Sequence, residues 1–154
     1  MKVEQALADR NLTWATPRPQ TNRVAAVQHG DLVYLSGRAP VDAEGKLVSG
    51  KVGRDCTPEE AYEGAKQAMV NLLGALKTEI GDLDRVTRVV KVLCLVNTAD
   101  DFHDPGKVAD GASDLLVELY GERGRHARSA VGIACPAAGL CIEIEMIVAV
   151  ETGS

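Results

Sequence analysis

The chain has 154 residues, 45% apolar and 25% charged, the size and balance of one domain that can bury a core without disulfide or metal staples. Its net charge of −5 and aromatic content of 3% disfavour nucleic acid as a partner, because phosphate neutralisation needs Lys and Arg and base stacking needs rings. No apolar run approaches the roughly 20 residues of a membrane span, and Met1–Arg10 holds no apolar signal core, so the expected location is the cytoplasm with no membrane partner.

Residues 3–12 read as a short amphipathic helix, followed by an extended arm from Trp14 to Asn22 that holds Pro17 and Pro19. Val24–Gln28 and Leu32–Ser36 read as a hairpin about His29-Gly30-Asp31. Gly37 to Gly53 is looser, with a turn at Ala43-Glu44-Gly45 and room for a third strand. The strongest signal is a helix over Pro58–Ile80. Thr57 serves as N-cap, Pro58 takes the first helical position, Glu60 completes a capping box and Gly81 stops the helix. Ala61, Ala65, Ala68, Met69, Leu72, Leu73, Leu76 and Ile80 form its apolar stripe. Val86–Val96 reads as a central strand, and a second long helix runs from Asp104-Pro105 to Tyr120. His126–Ala134 and Leu140–Val150 read as two strands joined into a hairpin by a Pro136–Gly139 turn. The order hairpin, helix, strand, helix, hairpin predicts an α+β fold, a mixed sheet with two helices on one face. Residues 1–22 form an N-terminal helix and arm, and 23–154 a single domain.

In the last strand Ile142, Ile144, Met146, Val148 and Val150 alternate with a set that includes Glu143 and Glu145. The even set is expected to face the helices. The odd face is too polar for a closed core and too apolar for plain surface, which fits a contact with another subunit. Solvated glutamates are the plainer reading. The four cysteines form no Cys-x-x-Cys pair and stand apart from the histidines, so no metal site is expected. Cys135 and Cys141 flank the last turn, but nothing marks the chain for an oxidising compartment, and a disulfide there is not expected.

Five segments in order carry a resemblance. Val33–Pro40 (VYLSGRAP), Gly81–Val86 (GDLDRV), Asp110–Leu116 (DGASDLL), His126–Val131 (HARSAV) and Ile142–Glu145 (IEIE) together resemble the YjgF/RidA family, also called translation-inhibitor or L-PSP endoribonuclease-like proteins. The resemblance runs from about Val24 to Val150, and the N-terminal helix and arm look like a longer subgroup of the family. It implies a chorismate-mutase-like fold, a homotrimer with a ligand cleft at each subunit boundary, and hydrolysis of reactive 2-imino acids to 2-keto acids and ammonia, with no metal or organic cofactor.

The resemblance also assigns residues. Arg128 matches the arginine that grips the substrate carboxylate, a task for which a planar guanidinium is suited. Glu143 matches the glutamate that positions or activates water. Ser36 matches the cleft serine after the second strand, and backbone carbonyls near Ala130 are candidate acceptors for the imine nitrogen's protons. Two positions depart. Arg23 stands where the best-known branch has a tyrosine, and Asp110 where it has an asparagine. The two are candidates to pair with each other, or to admit a different ligand. Plainer readings stand beside these: an interface ion pair for Arg128 and Glu143, turn chemistry for Ser36, and a strand-end surface residue for His126. The functional expectation is an imine/enamine deaminase acting on a small carboxylate-bearing metabolite. The alternatives are a non-catalytic carboxylate-binding trimer and, less favoured, an endoribonuclease.

Overall fold

The computed structural model describes residues 2–152. Its elements in chain order are α1 (Lys2–Asp9), β1 (Ala26–His29), β2 (Leu32–Arg38), α2 (Pro58–Ile80), β3 (Val86–Asn97), α3 (Pro105–Tyr120), β4 (Ala127–Ile133) and β5 (Ile142–Val150), with three short 3₁₀ turns between. One mixed five-stranded sheet runs in the order β1-β2-β5-β3-β4, antiparallel except for the β3–β4 pair.

α2 forms where its caps and stripe predict. The Thr57 hydroxyl accepts from Glu60 N–H, the Glu60 carboxylate accepts from Thr57 N–H, and every residue of the expected stripe is buried. The even residues of β5 are likewise buried beneath the helices, while Glu143, Glu145, Ile147 and Ala149 lie on the open face. α2 and α3 approach closely enough that a Cβ on Gly111 would run into the Tyr62 carbonyl. α1 adds Val3 and Leu7 to the same core. Among the described residues no helix is long and apolar enough to cross a membrane.

The expected C-terminal hairpin does not form. β3 lies between β4 and β5, pairing in parallel with β4 and antiparallel with β5, and α3 supplies the crossover that parallel neighbours require. Long-range partners decide this against the turn signal. The segment after β4 passes the end of β3, where Asn97 N–H donates to the Cys141 carbonyl at 2.9 Å. It then pairs with the preceding loop: Gly50 N–H donates to Gly139 O at 2.7 Å and Cys141 N–H to Val48 O at 3.1 Å. The Gly37–Gly53 stretch lends Gly37 and Arg38 to β2, and residues 39–53 make only isolated bridges, such as Val41 with Leu47, and no third strand of that hairpin.

Candidate functional site

Register decides which face each candidate residue occupies. Leu35, Met146, Val92 and Arg128 are successive partners across the sheet, so Arg128 lies on the helix face at the sheet's edge. Glu143 pairs with Leu95, and Leu95 with Val131, on the open face. A direct hairpin between the last two strands, with Ala134 opposite Cys141, would put Arg128 and Glu143 on one face. They occupy opposite faces, two strands apart and three residues out of step, roughly 10 Å along the strand direction alone.

Arg128 is held against α3. Its Nη1 donates to Asp110 Oδ1 at 2.8 Å and Ser113 Oγ at 3.1 Å, and Nη2 donates to the Gly106 carbonyl at 3.4 Å. Three of the five guanidinium donors are engaged, which leaves Nε–H and one Nη2–H for another group. Asp110 therefore pairs with Arg128 and not with Arg23. The reason is topological: the β3–α3–β4 crossover lays α3 along β4, whereas Arg23 precedes β1 at the opposite edge.

The network continues to His126, which the sequence placed at a strand end as a surface residue. It is half-buried. Its Nδ1 lies 2.6 Å from the Gly124 carbonyl, which can only accept, so Nδ1 carries the proton of the neutral ring. Nε2 then accepts from Ser113 Oγ at 3.0 Å, and Ser113 in turn accepts from Arg128. Burial, followed by the like charge of Arg128, pushes the imidazole pKa down against the opposing Gly124 hydrogen bond.

Glu143 opens into a different space, a groove of about 310 Å³ between the N-terminal arm, β2 and the loop before β5. Its walls include Pro17, Arg18, Gly37, Arg38 and Asn71. The glycine at 37 is what lets Glu143 lie against β2, since a Cβ there would fall 2.6 Å from Glu143 Oε1. Among the described residues the Glu143 carboxylate has no hydrogen-bond or ion-pair partner. Ser36 lies next to this groove, but its hydroxyl donates to the Val24 carbonyl at 2.7 Å and its N–H to Ala25 O at 2.9 Å, which latches the start of β1 to β2. Ala130 is midway along the edge strand, opposite Cys94.

The arm is fixed from inside the fold. Asn71, 9% exposed on α2, accepts from Ala15 N–H at 2.9 Å and donates to Ala39 O and Val41 O at 2.9 and 2.8 Å. Gln67 donates to Thr13 O at 3.0 Å, and Trp14 occupies the space that a Cβ on Gly74 would fill. Neither Asn71 nor Arg38 was singled out from sequence. Asn71 interrupts the apolar run Met69–Leu76, and that lone polar residue was the available signal. The carboxylates of Glu4, Asp82 and Asp84 gather within 4.8 Å of one another. Lys77 Nζ reaches Glu4 at 2.8 Å and the N–H groups of Lys2 and Val3 reach Asp84 at 2.7 and 2.9 Å, so this cluster ties α1 to the turn before β3. Cys141 is buried and Cys135 exposed, and both are free thiols.

A mixed five-stranded sheet with two long helices on one face and an unpaired glutamate on the other defines an α+β protein. Residues 22–147 match the family described as "YjgF/chorismate mutase-like, putative endoribonuclease". The chain belongs to this YjgF/RidA family. It is 37% identical over 135 residues to Protein TCP17 of Trypanosoma cruzi, spanning 87% of this chain and 84% of that protein. Among solved structures it resembles the protein Atu1372 of Agrobacterium tumefaciens, described as of unknown function, with a TM-score of 0.89 and 35% identity over 97% of this chain and 92% of that one. A structure from Shewanella oneidensis titled a putative endoribonuclease gives the same TM-score at 26% identity, over 96% and 99% of the two chains.

Proposed function

We propose that the protein is a cytoplasmic deaminase that hydrolyses reactive 2-imino acids to 2-keto acids and ammonia, in clefts that a homotrimer completes. The observation that carries the reading is Glu143: a carboxylate without a partner among the described residues, held beside Gly37 in an open groove. Such a group can accept a proton from water as its oxygen adds to the electrophilic imine carbon. The resulting carbinolamine expels ammonia once the proton reaches nitrogen, and the C–N bond breaks as the carbonyl forms. Arg128 would grip the carboxylate through its two remaining donors, charge-assisted and geometrically suited to an oxyanion. A carbonyl near Ala130 would receive an imine proton, and Ser36 would shape the cleft wall.

Arg128 and Glu143 lie on opposite faces of one chain, so they act on one substrate only if a neighbouring subunit brings its arginine to the groove. Exposed apolar side chains on the open face, Val27, Tyr34 and Val131, support such a contact. The Asp110–Arg128 ion pair favours a second reading, a carboxylate-binding trimer without catalysis, because the anchor is partly occupied.

The test is imine hydrolysis. An amino-acid oxidase generates 2-iminopropanoate or 2-iminobutanoate, and semicarbazide traps what is not hydrolysed. Wild type is expected to suppress adduct formation, and Arg128→Ala and Glu143→Gln to lose that effect. Wild type that matches the protein-free control removes the deaminase reading for these substrates.

A further inference from the structure

The groove beside Glu143 carries more cationic charge than the proposed chemistry uses. Arg18 and Arg38 line it. Arg23 stands near enough to Arg38 that, after burial, its like charge is the next influence pushing the Arg38 guanidinium below its ordinary pKa. Among the described residues none of the three arginine side chains makes a hydrogen bond or an ion pair. Other arginines of the chain do find partners: Arg10 with Glu118, Arg54 with Asp55, Arg85 and Arg123 with backbone carbonyls, and Arg128 with Asp110. Half-burying a guanidinium next to a second cation and without an ion-pair partner costs free energy in the empty protein, and an arriving anion recovers part of it.

The site is also built. The arm that presents Arg18 is stiffened by Pro17 and Pro19 and held by Asn71, Gln67 and Trp14. A space of about 310 Å³ is at the small end of ligand pockets. Arg18 and Arg38 line this space and are used by none of the proposed chemistry, so they are free to hold the second acidic group of a small dianion.

We propose that the arm groove is a second anion subsite, and that its ligands are small dianions whose second acidic group is held by Arg38 and Arg18 beside Glu143. This rests on the deaminase reading only in naming its substrates, 2-imino acids with an acidic side chain; the binding claim stands by itself. Stable keto acids serve as probes. Calorimetric titration of wild type is expected to give 2-oxoglutarate an affinity about ten-fold above that of 2-oxobutanoate, the order of one charge-assisted contact. Added salt shrinks the difference, since the groove is open to solvent. Arg38→Ala brings the two ligands to within about two-fold. Should that variant fail a circular-dichroism check of folding, Arg18→Ala on the exposed arm carries the same expectation. Equal affinities in wild type, no binding of either acid, or a preference that survives in both variants overturns the subsite. A preference lost with Arg38 in a protein that hydrolyses no imine supports the subsite and removes the deaminase reading. Hydrolysis of 2-iminobutanoate without any preference for the diacid does the reverse.

Discussion

At the scale of single residues, two contacts decide how the groups proposed for chemistry behave. The Asp110 carboxylate competes with any substrate carboxylate for the Arg128 fork. Asp110→Asn keeps a hydrogen-bond acceptor and removes the charge. We expect KM for 2-iminobutanoate to fall several-fold while stability changes by less than about 1 kcal/mol, because the Asp110 side chain is 49% exposed. Steady-state kinetics and urea denaturation measure the two effects separately. An unchanged or higher KM means that Asp110 positions Arg128 and does not mask it. At Gly37 the argument is steric. An added Cβ would meet Glu143 Oε1 at 2.6 Å, and the flexible carboxylate end yields more readily than the sheet. Gly37→Ala is therefore expected to fold, with kcat lowered by about 10²-fold, the lower end of what a positioned base contributes. Full activity in that variant shows that the Glu143 position is not critical.

At the scale of elements, the N-terminal segment is tied down at two points. Asn71→Ala leaves Ala15 N–H and Val41 O without their partner and takes from Ala39 O one of its two donors, Val41 N–H being the other. The expected cost is about 2–3 kcal/mol, with faster tryptic cleavage after Arg23, at the end of the arm, as the arm lifts. α1 is held by charge. Burial raises the Glu4 pKa, but the Lys77 hydrogen bond and the Leu83 N–H outweigh it and bring it to about 2. Its folded value is thus below the ordinary carboxylate range, so this tie is present above about pH 4.5 and is lost as pH falls toward 2. Trp14 is the only tryptophan and lines the same pocket as Glu4 and Leu7, so its emission is expected to shift red across that window, and Glu4→Gln to remove the acid dependence of the shift. Much of this scale was legible in sequence. The capping box and stripe of α2 and the alternation of β5 are local patterns, and local patterns carry their own physics. Strand order was not legible, because the Pro136–Gly139 turn resembles a hairpin turn and only contacts between distant segments, such as Gly50 with Gly139, show otherwise. The site was half legible for the same reason. Arg128 and Glu143 were named one by one, but their faces depend on β3 lying between their strands. The groove depends on Asn71 reaching back 56 residues to Ala15.

At the scale of the molecule, the question is what covers the open face of the sheet. Val27 and Tyr34 pair across β1–β2, and Ile147 continues their row on β5. Val131, 44% exposed, shares its row with Leu95 and Glu143. Removing such a surface from water is the main drive for association, and a trimer buries it three times over. Val131→Glu tests the contact without touching the core, because the new side chain points away from the helices. In a lone chain it would be solvated and cost little. In a trimer it would desolvate a carboxylate on a face that already holds Glu143 and Glu145. Wild type is expected to sediment at three times the 16.3 kDa chain mass, and Val131→Glu as a monomer with an unchanged far-ultraviolet spectrum. If Arg128 and Glu143 act from different subunits, the same variant also loses imine hydrolysis. Mixing inactive Arg128→Ala with inactive Glu143→Gln then restores part of the activity, since mixed trimers contain some clefts with both wild-type groups. Full activity in a monomeric variant would mean that one chain suffices, and would move the carboxylate grip from Arg128 to the arginines of the arm groove.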